Sequence, residues 1–242
     1  MRKTILFLAV LFLAGNALGQ SRRDPKSLTE GFYASIGVVD GPEFSSFVNY
    51  VNDFYRPLFS NNTDRLDKFG KAPIISLGYL LRLYPSFALD VGFSIYSLKT
   101  EAKIRNFNSP DPEAGIRHKL EYQVGIFSAT VPVLFDFSPK QPVVPYVGIG
   151  VSIFAMRLDD IKEVSENGSI VIGSRDTGTN VGGHFETGLY AKISRKIWID
   201  LQWKWHNGSG NLRAQEPGIQ FEEFKIDQDL TQINAGVVYF FR

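Results

Sequence analysis

The sequence predicts an all-β fold, an eight-stranded antiparallel up-and-down transmembrane β-barrel with a short amphipathic helix in its first long loop. Three observations predict it. Eight segments alternate apolar and polar residues with the period of two that a strand gives its side chains. The connections between them alternate short and long, as in a meander whose every second turn lies at the same end. The apolar face of each segment is continuous over about nine to eleven positions, the length a tilted strand needs to cross hydrocarbon.

The chain opens on MRKTILFLAVLFLAGNALGQ. Arg2 and Lys3 supply a charged start, Ile5 to Ala14 an apolar run, and Ala17-Leu18-Gly19 a small-residue cleavage site, so residues 1–19 read as a secretory signal and 20–242 as one barrel domain. The apolar run is too short for a spanning helix, which needs roughly 20 residues. Removing Arg2 and Lys3 takes Lys and Arg from 26 to 24 against 25 Asp and Glu, so the formal charge moves from +1 to −1. That balance gives no case for a nucleic-acid partner. The chain has no Cys, which excludes disulfides, thiol chemistry and a lipidated cysteine.

The strands are expected at 31–39, 73–84, 86–98, 119–137, 145–158, 181–194, 196–206 and 229–241. YPS at 84–86, SPKQPV at 138–143 and SRK at 194–196 are the short turns, and both termini fall at their end. Within 181–194, Val181, Phe185, Leu189, Ala191 and Ile193 share one face, and His184, Glu186, Gly188, Tyr190 and Lys192 share the other. The polar faces collect Gly37, Gly78, Gly92, Gly148, Gly150, Gly188 and Gly236 beside Tyr33, Arg82, Tyr96, Tyr190 and Lys204. Small beside large fills a narrow eight-strand interior, whereas Gly on a solvated outer face only weakens a strand. The polar face is therefore expected inside and the apolar face in lipid, the reverse of a soluble lipocalin-like barrel. In 119–137 the apolar phase is even from Leu120 to Ile126 and odd from Phe127 to Phe137, which predicts a β-bulge near Ile126 and Phe127.

The inward ionisable residues are expected to be Arg82, Asp90, Glu121, His184, Glu186, Lys192, Asp200 and Lys204. Opposite signs pair across a small lumen, because isolated buried charge is expensive. Aromatics fall near strand ends, with Phe32, Phe87, Phe135, Tyr239 and Phe241 at the short-turn end and Tyr122, Trp203 and Trp205 toward the other, as at the two interfaces of a membrane. The first long connection, GPEFSSFVNYVNDFYRPLF, sets Phe44, Phe47, Val48, Val51, Phe54, Tyr55 and Leu58 at helical spacing between Pro42 and Pro57, which predicts a helix over about 43–56. Its apolar face is a cap on the barrel mouth or a contact surface for lipid, a partner or a small hydrophobic ligand. The polar connections 99–118, 159–180 and 207–228 read as solvated outer loops.

With the signal, the eight alternating strands, PYVGIGVSIF at 145–154 and INAGVVYFF at 233–241, the chain resembles the small eight-stranded bacterial outer-membrane barrels, the group of the OmpA membrane domain, OmpX and OmpW. The resemblance implies residence in the outer membrane of a Gram-negative cell, contact with outer-membrane lipid and lipopolysaccharide, and a C-terminal aromatic signal read by the barrel assembly machinery. Tyr239 and Phe241 match that signal one residue early, since Arg242 follows. Some such barrels are lipid A acyl hydrolases with a His and a Ser two apart on one strand edge. Here Ser209 is three from His206, which lies in the inward phase, so a wall residue is the better reading. His118, His184 and His206 are dispersed and offer no metal-ligand spacing. The expected protein is a monomer without cofactor or catalytic residues, structural or surface-interacting. An uptake channel for small or hydrophobic solutes is the first alternative and a lipid A hydrolase the distant one.

Overall fold

Antiparallel pairing follows the sequence order around a closed ring. The computed structural model describes residues 30–41, 48–49, 52–53, 65–84, 86–105, 115–135, 141–165, 169–214, 222–227 and 229–241. Its strands are β1 Glu30–Asp40, β2 Lys71–Tyr84, β3 Phe87–Arg105, β4 Gly115–Leu134, β5 Val143–Ser165, β6 Ser169–Lys192, β7 Ile197–Ala214, β8 Glu222–Asp227 and β9 Leu230–Phe240. β8 and β9 face β7 in one common register, Ser209↔Asp227 and His206↔Leu230, so they are two pieces of a single eighth barrel strand. β9 closes on β1, and β6 pairs with β7, which leaves the membrane ring without an open edge.

Side-chain exposure sorts the wall into two faces. Ile36 on β1, Leu77 on β2, Val91 on β3, Val131 on β4, Val151 on β5, Phe185 on β6, Leu201 on β7 and Ile233 on β9 are all exposed large apolar residues. Their inward neighbours Ser35, Ser76, Asp90, Thr130, Ser152, Glu186, Gln202 and Asn234 are buried. Apolar residues outside and polar residues inside a closed ring is the arrangement of a barrel whose solvent is lipid.

Beyond this belt the polarity of the wall inverts. On β3, Leu98, Thr100 and Ala102 are buried and Lys99 and Glu101 are exposed; on β4, Leu120, Tyr122, Val124 and Ile126 are buried; on β5, Phe154, Met156 and Leu158 are buried. The even phase of Leu120 to Ile126 therefore faces the interior, and Tyr122 is a core residue at 0% exposure instead of an interfacial one. The expected bulge does not exist. β4 pairs from Gly115 to Leu134 with no register shift against β3 or β5, and the irregularity of the sheet lies between Arg82 and Tyr84 on β2. What changes near Ile126 is the medium outside the wall, from lipid to water, and the apolar side chains change face while the backbone stays regular.

The same extension replaces much of the three connections read as loops. β3 and β4 run paired to Arg105↔Gly115, β5 and β6 to Ser165↔Ser169, and β7 and β8 to Ala214↔Glu222. The outward polar residues described there, Lys99, Glu101, Arg117 and Arg175 among them, are the wet face of hairpins that stand above the bilayer. A direct test of the inversion compares two outward positions on β4. Val131→Arg, in the belt, is expected to cost about 2–4 kcal/mol of stability in lipid vesicles, and Gln123→Arg, above it, less than about 0.5 kcal/mol. Equal costs in equilibrium unfolding would contradict the assignment of the two zones.

Candidate functional site

The lumen is built in three levels. At the short-turn end Trp198, Tyr146, Tyr190 and Phe240 form a floor with Leu80, Ala88, Leu134, Val144 and Val238. The rings of Tyr146 and Tyr190 stack at 4.6 Å, and Trp198 meets Phe240 edge-on at 6.0 Å. Tyr33 packs against this floor. It lies across Gly78 and Gly92, where a Cβ would collide with its ring or hydroxyl, so the two glycines make room for one large inward side chain.

The middle level is polar. Lys204 Nζ lies 2.8 Å from Glu186 Oε2, with both side chains almost wholly buried. Gln202 Nε2 donates to the same oxygen at 3.3 Å, Thr130 Oγ1 at 3.4 Å, and Asn234 Nδ2 donates to Gln202 Oε1 at 3.2 Å. Thr130 Oγ1 is also 2.7 Å from His184 Nε2, while Ser152 Oγ stands 2.8 Å from His184 Nδ1 and 3.0 Å from His206 Nδ1. Two tyrosine hydroxyls complete the level, Tyr33 donating to Asp90 Oδ1 and Tyr146 to Asp200 Oδ1, each at 2.9 Å.

The residues expected in the lumen separate accordingly. His184, Glu186 and Lys204 join one network, and Asp90 and Asp200 are each held by a tyrosine. Arg82 is buried near the short-turn rim with its Nε donating to Tyr84 O at 3.2 Å, and Lys192 is half-buried in the inward phase at the same rim. Glu121 is a correction. The missing bulge leaves it on the outer face of β4, where Lys99 and Lys119 each approach it to 3.3 Å. There the hydrogen bond from Gln123, aided by the two lysines, holds its carboxyl down to about 2.

The outer level is an apolar plug. Val48 and Leu66, from the first long connection, are 1% and 4% exposed and sit in one cluster with Leu98, Leu120, Tyr122, Val124, Phe154, Met156 and Leu158. Phe69 packs on it, its ring 6.5 Å from that of Tyr122. Asn52 ties the segment together, accepting from Leu66 N at 2.9 Å and donating to Leu66 O at 3.0 Å. Residues 48–49 and 52–53 are helical, whereas Phe44, Phe47, Val51, Phe54, Tyr55 and Leu58 lie outside the described residues. Val48 itself is turned into the barrel mouth.

Sequence reasoning missed Thr130, Ser152, Gln202 and Asn234, whose inward parity was the available signal. It also missed a second buried group beside the plug, where His118 Nε2 lies 2.6 Å from Asp160 Oδ1 and Lys162 Nζ 3.5 Å from Asp160 Oδ2. His206 is 1% exposed toward the lumen and Ser209 is on the exposed face, so the wall stands between them. Among the described residues no group of three or more His, Asp or Glu could hold a metal. On the outer surface Phe241 stacks on Phe32 at 5.4 Å and lies 6.4 Å from Tyr79, beside the exposed Tyr239. Where β6 and β7 part beyond Gly182↔Gly208, a polar cleft of about 540 Å³ opens beside Asn207, Ser209 and Asp229.

No family model matches the sequence, and no curated protein matches it. Solved structures do. The outer membrane protein OprG from Pseudomonas aeruginosa is similar over 88% of this chain and 97% of its own, at 9% identity and a TM-score of 0.55. The outer membrane protein AlkL, solved in DMPC bilayers, is similar over 93% and 96% at 13% identity and a TM-score of 0.48. Neisserial surface protein A is similar over 87% and 97% at 16% identity and a TM-score of 0.43. At these identities the likeness is one of fold. The chain has the fold of the small eight-stranded outer-membrane barrels, and its apolar belt is where that fold meets lipid.

Proposed function

We propose that this outer-membrane barrel is a non-conducting, non-enzymatic surface protein whose working parts are its lipid-facing belt and its raised outer wall. The observation that carries the reading is the filling of the lumen: the Trp198 floor, the Glu186–Lys204 network and the Val48–Leu66 plug succeed one another along the barrel. Solute uptake needs a lined path, and the polar cleft at the β6–β7 fork suits no hydrophobic solute. An acyl hydrolase needs an exposed nucleophile, and Ser152, the serine in contact with histidine, is 0% exposed. On this reading the protein is monomeric, its partners are outer-membrane lipid and lipopolysaccharide, and the assembly machinery reads Tyr239 and Phe241.

Reconstitution tests it. The wild-type protein in planar bilayers is expected to give no conductance steps, and lipid A incubated with it is expected to keep its mass. Steps of single-channel size would replace this reading with uptake, and loss of an acyl chain would replace it with hydrolysis. Deleting residues 43–58 removes Val48 from the cluster and is expected to lower the melting temperature. An unchanged melting temperature would mean that the segment is not a cap.

A further inference from the structure

The outer face of the raised wall carries an ordered pattern of charge. One rung runs straight across four strands, Lys99 on β3, Glu121 on β4, Asp159 on β5 and Arg175 on β6. Two acids lie side by side at its centre, and each is shared between two cations. Lys99 and Lys119 approach separate oxygens of Glu121 at 3.3 Å, and Arg157 and Arg175 approach separate oxygens of Asp159 at 2.7 Å. The carboxylates are the covered partners, with side chains 14% and 10% exposed, while those of Lys99, Lys119, Arg157 and Arg175 are 58%, 35%, 38% and 61% exposed. The acids thus hold four cations in place, leaving a formal excess of two positive charges on the surface.

Height gives the excess a meaning. Further out the charges balance, Lys103 and Arg117 sharing a rung with Glu163 and lying beside Glu101, and Arg117 stands 2.6 Å from Glu101 and 3.8 Å from Glu163. The positive group is the one nearer the lipid. Lys99 and Arg157 follow the outermost belt residues Ile95 and Ile153 by four positions, roughly 13 Å along the strand and about 10 Å vertically at the usual tilt. That reaches the headgroup layer of a bilayer. Lys119 and Arg175 stand about 5 Å higher or more, beyond the reach of a single phosphate at the interface.

We propose that this cluster binds the phosphorylated saccharide headgroup of an outer-leaflet glycolipid, with Lys99, Lys119, Arg157 and Arg175 as the phosphate donors and Glu121 and Asp159 as the groups that position them. Carboxylate-anchored Lys and Arg with spare N–H groups are well suited to phosphate, Arg by paired hydrogen bonds and Lys as a point charge. The inference rests on the membrane reading above, since only a belt in lipid brings such headgroups to this height.

The test uses full-length protein in phosphatidylcholine nanodiscs containing rough-type lipopolysaccharide, either intact or enzymatically dephosphorylated. Retained glycolipid is counted by native mass spectrometry. Wild type is expected to retain intact lipopolysaccharide roughly tenfold better than the dephosphorylated form. A variant with Lys99, Lys119, Arg157 and Arg175 changed to Gln, together with Glu121→Gln and Asp159→Asn so that no acid is left unpaired, is expected to lose that preference. Arg195→Gln with Lys196→Gln, exposed in the short turn between β6 and β7 at the opposite end of the barrel, is expected to keep it. Equal retention by the folded six-site variant and wild type overturns the proposal, as does displacement by millimolar inorganic phosphate, which would identify a site for the free anion. Failure of wild type to enter nanodiscs at all would instead overturn the membrane reading.

Discussion

Lys204→Met lowers the stability of the barrel by about 3–5 kcal/mol, because it leaves the Glu186 carboxylate buried without its cation. Glu186 is 0% exposed, and the ammonium 2.8 Å away is the one cation in contact with it among the described residues. Gln202 and Thr130 still donate to the stranded carboxylate, at 3.3 and 3.4 Å, but neutral donors do not replace a charge. The double variant Lys204→Met with Glu186→Gln is expected to recover most of the loss, since it removes both charges. The measurement is equilibrium unfolding in lipid vesicles for the two single variants and the double. If Lys204→Met unfolds like wild type, the pair is not what holds the centre of the lumen.

Trp198→Ala is expected to cost a similar amount, about 3–5 kcal/mol, by a different route. Trp198 is 0% exposed on the floor of the barrel, edge-on to Phe240 and among Tyr146, Tyr190 and Val238. Neighbours held in a closed ring cannot collapse into the space it vacates, so the loss combines transfer, cavity and aromatic contact. Trp205→Ala on the same strand removes an indole that is 40% exposed at the outer interface, and its cost is expected to be clearly smaller. Similar losses for the two would contradict the assignment of inner and outer faces to β7.

The eight strands, their antiparallel order and their lipid-facing residues were legible because alternation needs only the chain itself. Val91 and Asp90 differ in polarity at adjacent positions, and a closed ring gives each polarity one place to go. Leu120 to Ile126 were misread because alternation carries a period but not a sign. The same spacing describes an apolar face turned to lipid and one turned to a core, and the difference is depth in the membrane, which no local pattern records. Glu121 followed that error to the wrong side of the wall. The lumen network was legible as a set of inward residues but not as a set of contacts. Ser152 between His184 and His206 depends on the cross-strand register of β5, β6 and β7, Gly150↔His184↔His206, which is a property of the pairing and not of any one segment. Val48 was legible as apolar and helical, but its direction is set by the concave wall it fills.

The change of face along each of β3, β4 and β5 also sets how deep the protein rides. Moving it inward by four residues would draw Lys99 and Arg157 to the level of Ile95 and Ile153, carrying charge into hydrocarbon at a cost of up to about 2–4 kcal/mol for each group. Moving it outward by the same step would lift those isoleucines into water and pull the short-turn rim off its interface. Displacement is opposed from both directions, so the waterline of the barrel is written into its strands and does not depend on an anchor at either end.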